Sequence, residues 1–89
     1  MKNETLFELV NKVEDEETFL DFVNELSKDR IKYLENRSFD EWQNETIEDF
    51  LERAHEWGVS SKDGLQYYEK PHNTWKRCAQ ILYMGKIYE

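Results

Sequence analysis

The chain has few residues that break regular structure and almost no cysteine: among its 89 residues are one proline, three glycines and one cysteine. Glycine and proline are both missing from residues 1–57, whereas a β-sandwich needs turn residues about every ten positions. This scarcity favours helices joined by polar turns. Because Cys78 is the single cysteine, an internal disulfide framework is excluded, which fits a reducing compartment.

Long apolar runs are missing as well. The first residues do not resemble a secretory signal, and no segment approaches the ~18 consecutive apolar residues of a membrane span. We therefore expect a cytoplasmic protein that does not bind membranes. Its length predicts a single domain over residues 1–89.

Positive charge is scarce, and the net charge is −8. Residues 1–64 hold eighteen acidic and eight basic residues, whereas residues 65–89 hold two and four. An acidic surface repels phosphate backbones, so we expect no nucleic-acid ligand. The same charge keeps a protein soluble and can also attract a basic partner protein.

Helical spacing of apolar residues predicts four helices. The first runs over residues 4–13, with Asn3 as its cap. The second follows Asp15 and reaches residue 28, or residue 35 if the stripe through Tyr33 is helical. The third begins near Thr46, with Asn44 as a rival cap, and ends at Gly58 in a left-handed conformation.

The fourth helix, residues 74–88 with Asn73 or Thr74 as cap, is apolar almost all the way round. Its polar arc consists of Lys76, Arg77 and Gln80, so the rest of the chain must surround it. We predict an all-α fold, a compact orthogonal bundle of about four helices with the apolar C-terminal helix at its centre. The predicted core is Phe19, Val23, Leu26, Trp42, Ile47, Phe50, Leu51, Ala54, Trp57, Trp75, Ala79 and Leu82.

Two connecting segments have no long helical pattern. Ser38 to Trp42 is predicted to be a short irregular or one-turn segment, in which Ser38 and Glu41 have capping-box spacing. Trp42 is too large to remain in water and is expected to close one end of the core. Residues 59–72 are predicted to be a loop with a turn at Gly64 and a short extended stretch beyond it.

Several motifs in this chain resemble those of a small bacterial family of unknown function. The motifs are Trp42-x-Asn44-x-Thr46-Ile47-Glu48-Asp49-Phe50-Leu51, Trp57, Tyr68, Asn73-x-Trp75, Ala79-x-x-Leu82 and Ile87-Tyr88-Glu89. The resemblance covers the second helix to the end of the chain, about three quarters of it. Thr74 stands where the family usually has proline, a mild departure because threonine also starts helices. The resemblance implies a compact helical domain and brings no catalytic residue or ligand.

Residues that could carry chemistry are sparse. His55, His72 and Cys78 lack the close spacing of metal ligands, so no metal or other cofactor is expected. Cys78 is predicted to be an inert packing residue of the fourth helix. No acid–base or nucleophile set is evident, which predicts a protein that is not an enzyme. Residues 67–77 combine aromatic side chains, which could stack on nucleobases, with lysines and an arginine, which could contact phosphates. Packing of the aromatic side chains in the core explains this segment better.

The sequence therefore favours a non-enzymatic protein–protein interaction module. One form is an immunity- or antitoxin-like protein that covers a basic toxin with the acidic residues of the second helix and with Glu48, Glu52 and Glu56. The alternative is a small-ligand or peptide pocket formed by the loop before the fourth helix, using Tyr67, Tyr68 and Trp75, with Trp42. The oligomeric state is left open between a monomer and a weak homodimer.

Overall fold

Four α-helices form the fold: α1 (Leu6–Lys12), α2 (Glu16–Glu35), α3 (Ile47–Ser60) and α4 (Thr74–Ile87). The computed structural model describes residues 5–37 and 41–88. Over these ranges it contains no β-sheet, and the extended stretch predicted after Gly64 is reduced to one isolated antiparallel bridge between Leu65 and Tyr68. The predicted all-α bundle is confirmed.

Side-chain caps explain where three of the helices begin. The Asp15 carboxylate accepts from the Thr18 amide at the start of α2, the Thr46 hydroxyl from the Asp49 amide at α3, and the Asn73 side chain from the Lys76 amide at α4. Each cap satisfies an amide that has no partner inside its helix. Asp15 is the predicted cap of α2. Of the two candidates for each later helix, Thr46 rather than Asn44 caps α3, and Asn73 rather than Thr74 caps α4.

The ends of α1 and α3 differ from prediction. Thr5 caps α1 in a reciprocal pair with Glu8, and the predicted cap Asn3 lies outside the described residues. Gly58 was predicted to end the third helix, but α3 continues to Ser60. The reason is that both the amide and the hydroxyl of Ser61 donate to the Trp57 carbonyl, which satisfies the last turn without a left-handed residue. Within the described residues, the left-handed conformation predicted for Gly58 is found instead at Gly64, whose φ is +88°.

The long form of the second helix is the correct one. α2 runs for 20 residues to Glu35, and its buried side chains Phe22, Leu26, Asp29 and Tyr33 fall on one face. The predicted segment around residues 38–42 lies partly outside the described residues. Trp42, which is described, is buried as expected.

Helix α4 is the hub of the bundle, as predicted. It contacts α1, α2 and α3, whereas among the described residues α3 contacts no helix except α4. Gly85 permits the closest approach, because a Cβ atom added there would lie 2.9 Å from the Phe50 carbonyl oxygen. The buried core comprises Ala79 of α4 together with Leu6, Val10, Val13, Phe22, Leu26, Tyr33 and Trp42.

The predicted core is only partly right. Leu26, Trp42, Ala54, Trp57 and Ala79 are buried, and Phe19, Val23, Phe50 and Leu82 are half-buried against the core. Three residues expected inside are exposed, namely Ile47, Leu51 and Trp75. The apolar arc of α3 is wider than the strip that α4 covers, so its outer edge stays uncovered.

The polar side of α4 also differs from prediction. Arg77 and Gln80 are half-buried and bonded rather than simply hydrated, because the loop that precedes α4 folds back over them. Cys78 was predicted to pack in the core but is exposed, since α4 buries its other sides against the three remaining helices.

Candidate functional site: an apolar groove between α2 and α3

An open groove lies between α2 and α3 and has a volume of about 420 Å³. Both helices pack on α4, but they do not pack on each other within the described residues. The space between them is therefore left as a cleft whose lining is largely apolar. It is lined by Val23, Leu26, Ser27, Arg30, Ile31, Trp42, Asn44, Glu45, Thr46, Ile47, Phe50 and Leu82.

The α2 wall of the groove is a second apolar stripe on that helix. Phe22 faces the core, Leu26 and Val23 contact both the core and the groove, and Ile31 lies farther round the helix in the groove. Ile31 is 53% exposed. An apolar arc this wide exceeds what one packing contact can cover, so part of it remains open to solvent.

The α3 wall is formed by the first turns of that helix. Ile47 is 77% exposed and Leu51 56% exposed, and the two are one helical turn apart. Ala54 and Trp57, on the other edge of the same arc, are buried. The residues that were expected to complete the core instead form an exposed edge beside the groove.

Trp42 and Phe50 form the floor. Their rings are stacked with centroids 5.8 Å apart. The indole N–H of Trp42 donates to Asp29 Oδ2 over 2.8 Å, and the same oxygen accepts from Lys86 Nζ over 2.7 Å. The floor is thus tied to both α2 and α4 by bonds that hold the large rings in fixed positions.

Arg30 and Glu45 are the charged residues of the lining. The Arg30 guanidinium lies 5.2 Å above the Trp42 ring and donates through Nη2 to the Glu45 carbonyl oxygen over 2.8 Å. Hydrogen bonds from Arg37 and then from Tyr33 hold the pKa of the Glu45 carboxyl below its ordinary value. Two guanidinium groups, those of Arg30 and Arg37, therefore share the single Glu45 carboxylate at this end of the groove.

A short strap, residues 42–44, fixes the groove to the end of α4. The Asn44 side-chain amide donates to the carbonyls of Gly85 and Tyr88, and the Gln43 amide donates to the Lys86 carbonyl. These carbonyls belong to the last turn of α4 or follow it, where partners within the helix run out. Asn44, the rival cap of α3, caps the C-terminus of α4 instead.

The acidic residues proposed for partner binding lie on α3, outside the lining of the groove. Glu48, Glu52 and Glu56 are exposed, and by helical geometry Glu48 and Glu52 follow Ile47 and Leu51 around the helix. Glu52 and Glu56 form ion pairs with Arg53. Among the described residues Glu48 has no such ion pair, so its carboxylate is the least compensated of the three there.

The structure does not bring the proposed aromatic pocket residues together. The Tyr67 side chain is 93% exposed, Tyr68 packs edge-on against Trp57, and Trp75 lies against Phe19 on α2. Trp42 belongs to the groove. The loop before α4 is instead pinned by Arg77, which donates to the Gly58 carbonyl and to the hydroxyls of Ser61 and Tyr68.

Two other kinds of site are absent from residues 5–37 and 41–88. Among the described residues, no three histidine, cysteine, aspartate or glutamate side chains cluster closely enough to hold a metal ion. The same part of the chain contains no helix with the length and apolar character needed to cross a bilayer.

The fold and the groove define a small all-α helical-bundle domain. The chain belongs to the Family of unknown function DUF7660, whose model matches residues 15–89. The match begins at the N-cap of α2, which agrees with the extent of the resemblance seen in the sequence. Comparison with curated proteins gave no match, and comparison with solved structures gave none either.

Proposed function

We propose that this chain is a non-enzymatic module that binds another protein, and that the α2–α3 groove with the adjacent acidic face of α3 is its binding surface. The observation that carries the proposal is the uncovered apolar groove, in which Ile31 and Ile47 are more than half exposed. Contiguous exposed apolar surface with a polar border is typical of interaction sites.

Charge indicates the kind of partner. The protein carries a net charge of −8, and on α3 the exposed Glu48 and Glu52 follow the apolar edge of Ile47 and Leu51 around the helix. A basic partner would be attracted at long range, since opposite surface potentials speed association and exclude like-charged proteins. An immunity- or antitoxin-like role in a bacterial cytoplasm is one form of this function.

Binding of a small apolar molecule is the second candidate, supported by the groove volume of about 420 Å³, which lies within the usual range for ligand sites. The groove is open along one side, however, and its apolar surface continues beyond the cavity along α2 as exposed Leu20 and Leu34. A protein segment uses both features, whereas a small molecule would leave much of its own surface in water.

Affinity capture with the tagged chain tests the proposal. Glu48→Gln/Glu52→Gln should reduce retention of a partner from native host extract, and about 500 mM salt should reduce it further by screening. The matched control is Asp63→Asn/Glu69→Gln, which removes the same charge from the exposed loop. Equal loss in both variants, or a partner whose retention ignores salt, contradicts the electrostatic proposal.

A further inference from the structure

We propose that the α2–α3 groove receives an amphipathic helix whose apolar face fills the groove and whose flanks carry lysine or arginine. This inference rests on the proposed function and specifies the segment of the partner that is bound. Grooves between two helices commonly take a third helix through apolar anchors spaced three and four residues apart.

The shape of the α2 wall supports a helix as the occupant. The groove residues Val23, Ser27 and Ile31 are continued at the same helical spacing by exposed Leu20 and Leu34. From Leu20 to Leu34 the stripe covers about 21 Å at 1.5 Å per residue. That length matches about four turns of a bound helix.

The α3 wall provides the second contact surface. Ile47 and Leu51 are exposed on the same side, one turn apart. A helix that lies between the two walls can bury anchors against Ile31 on one side and Ile47 on the other. Trp42, held by Asp29, gives the anchors a rigid aromatic floor, and such preformed surfaces lower the entropic cost of binding.

Charge complementarity identifies the flanks of the bound helix. Glu48 and Glu52 are exposed just outside the apolar edge formed by Ile47 and Leu51, so they meet the side of a helix seated in the groove. Lysine or arginine there would pair with them. A second copy of this chain is disfavoured, because it would bring together two molecules of net charge −8.

Three synthetic peptides of about 15 residues, long enough to form helix on binding, test the inference. The first has leucines along one helical face and lysines on both flanks. The second replaces the lysines with glutamates, and the third keeps the composition of the first but shuffles the leucines off a common face. Titrations are followed by amide and methyl NMR and by the fluorescence of the tryptophans.

The first peptide should bind at least about tenfold more tightly than either control peptide and should shift signals of Ile31, Ile47 and Trp42. Ile47→Glu should reduce its affinity about tenfold or more. The fold should persist, since Ile47 is exposed at the first position of α3, where a carboxylate is favourable. Val59→Glu is the matched control, because Val59 is also exposed on α3 but lies outside the groove.

Equal binding of the first and shuffled peptides, equal binding of the first and acidic peptides, or no binding at all overturns the inference. So do signals that shift elsewhere, or an Ile47→Glu variant that binds like wild type. Capture of the native partner separates this outcome from failure of the proposed function. A partner lost with Glu48→Gln/Glu52→Gln but kept with Ile47→Glu removes the helix-in-groove inference and leaves the binding function intact.

Discussion

Lys86 is enclosed within the protein, with 1% of its surface exposed. Its ammonium group donates to Asp29, and the Trp42 indole donates to the same carboxylate oxygen. The contact joins the last turn of α4 to the middle of α2 directly beneath the groove. A buried ion pair adds little net stability over an apolar pair, but it is costly to break on one side.

The sequence contained a weak signal for this pair. Asp29 interrupts the apolar stripe of Phe22, Leu26 and Tyr33, and Lys86 stands among apolar residues near the end of the fourth helix. A charged residue on an apolar face can bend outward to water as easily as find a partner. The two residues are separated by 57 positions, so spacing alone could not connect them.

Lys86→Met should lower the free energy of unfolding by about 3–5 kcal/mol, because it leaves the buried Asp29 carboxylate without its cation. Adding Asp29→Asn should restore part of the loss, since the amide is neutral and still accepts from Trp42. Urea denaturation of the wild type, of Lys86→Met and Asp29→Asn alone, and of the double variant measures the difference. A double variant as unstable as the sum of the two single variants would show that the charges do not interact.

At the scale of helices, local patterns predicted what local interactions determine. The existence of all four helices and the cap Asp15 follow from residues within one turn of each start, and the same local pattern narrows the caps of α3 and α4 to two candidates each, from which the structure selects Thr46 and Asn73. The end of α3 did not follow from its own glycine, because Ser61 closes the last turn instead. Gly58 and Ser61 are both possible end signals, and the hydrogen bonds from Ser61 to the Trp57 carbonyl extend the helix past the glycine.

The contact between α3 and α4 depends on one glycine and not on the other. A Cβ atom at Gly85 would lie 2.8 Å from the Phe50 ring and 2.9 Å from the Phe50 carbonyl oxygen, whereas at Gly58 the nearest atom, Ile81 Cδ1, is 3.7 Å away. A Cβ atom 2.9 Å from the Phe50 carbonyl oxygen would force the backbone to move, whereas 3.7 Å from Ile81 Cδ1 is an ordinary van der Waals contact.

Gly85→Ala should therefore destabilise the protein by about 1–3 kcal/mol through overpacking. Gly58→Ala should stabilise it by roughly 0.5–1 kcal/mol, because alanine loses less backbone entropy inside a helix. Thermal and urea unfolding of the two variants provide the comparison. If both substitutions have the same sign, the close approach of α4 to Phe50 is not limiting.

At the scale of the molecule, the central position of α4 was predictable but the groove was not. A helix that is apolar on nearly every side must be surrounded, and three helices do surround it. How completely α1, α2 and α3 cover α4 depends on the angles and distances between these helices, and a helical-wheel projection of the sequence does not contain that information. The pattern of Ile47 and Leu51 is that of core residues, because a core face and an apolar binding face have the same helical spacing.

The same limitation applies to the acidic residues. Glu48, Glu52 and Glu56 share the solvent face of α3, and helical geometry sets Glu48 and Glu52 next to the exposed edge formed by Ile47 and Leu51. The sequence alone could not indicate that an apolar surface would lie next to them. Their proposed role depends on this juxtaposition, since exposed carboxylates by themselves contribute mainly solubility.

Apolar exposure and net charge have opposite effects on self-association, which leads to a prediction for the whole molecule. The groove would favour contact between copies, whereas a charge of −8 on each copy opposes it. The protein should sediment as a monomer at about 50 mM salt and show weak self-association at about 500 mM, where the repulsion is screened. Ile47→Glu should remain monomeric in both conditions, because it adds charge to the exposed apolar edge. Binding to a basic partner should respond to salt in the opposite direction, so the two associations can be distinguished by one titration. Self-association that is strongest at low salt, or that persists in Ile47→Glu, would place the contact on another face of the bundle.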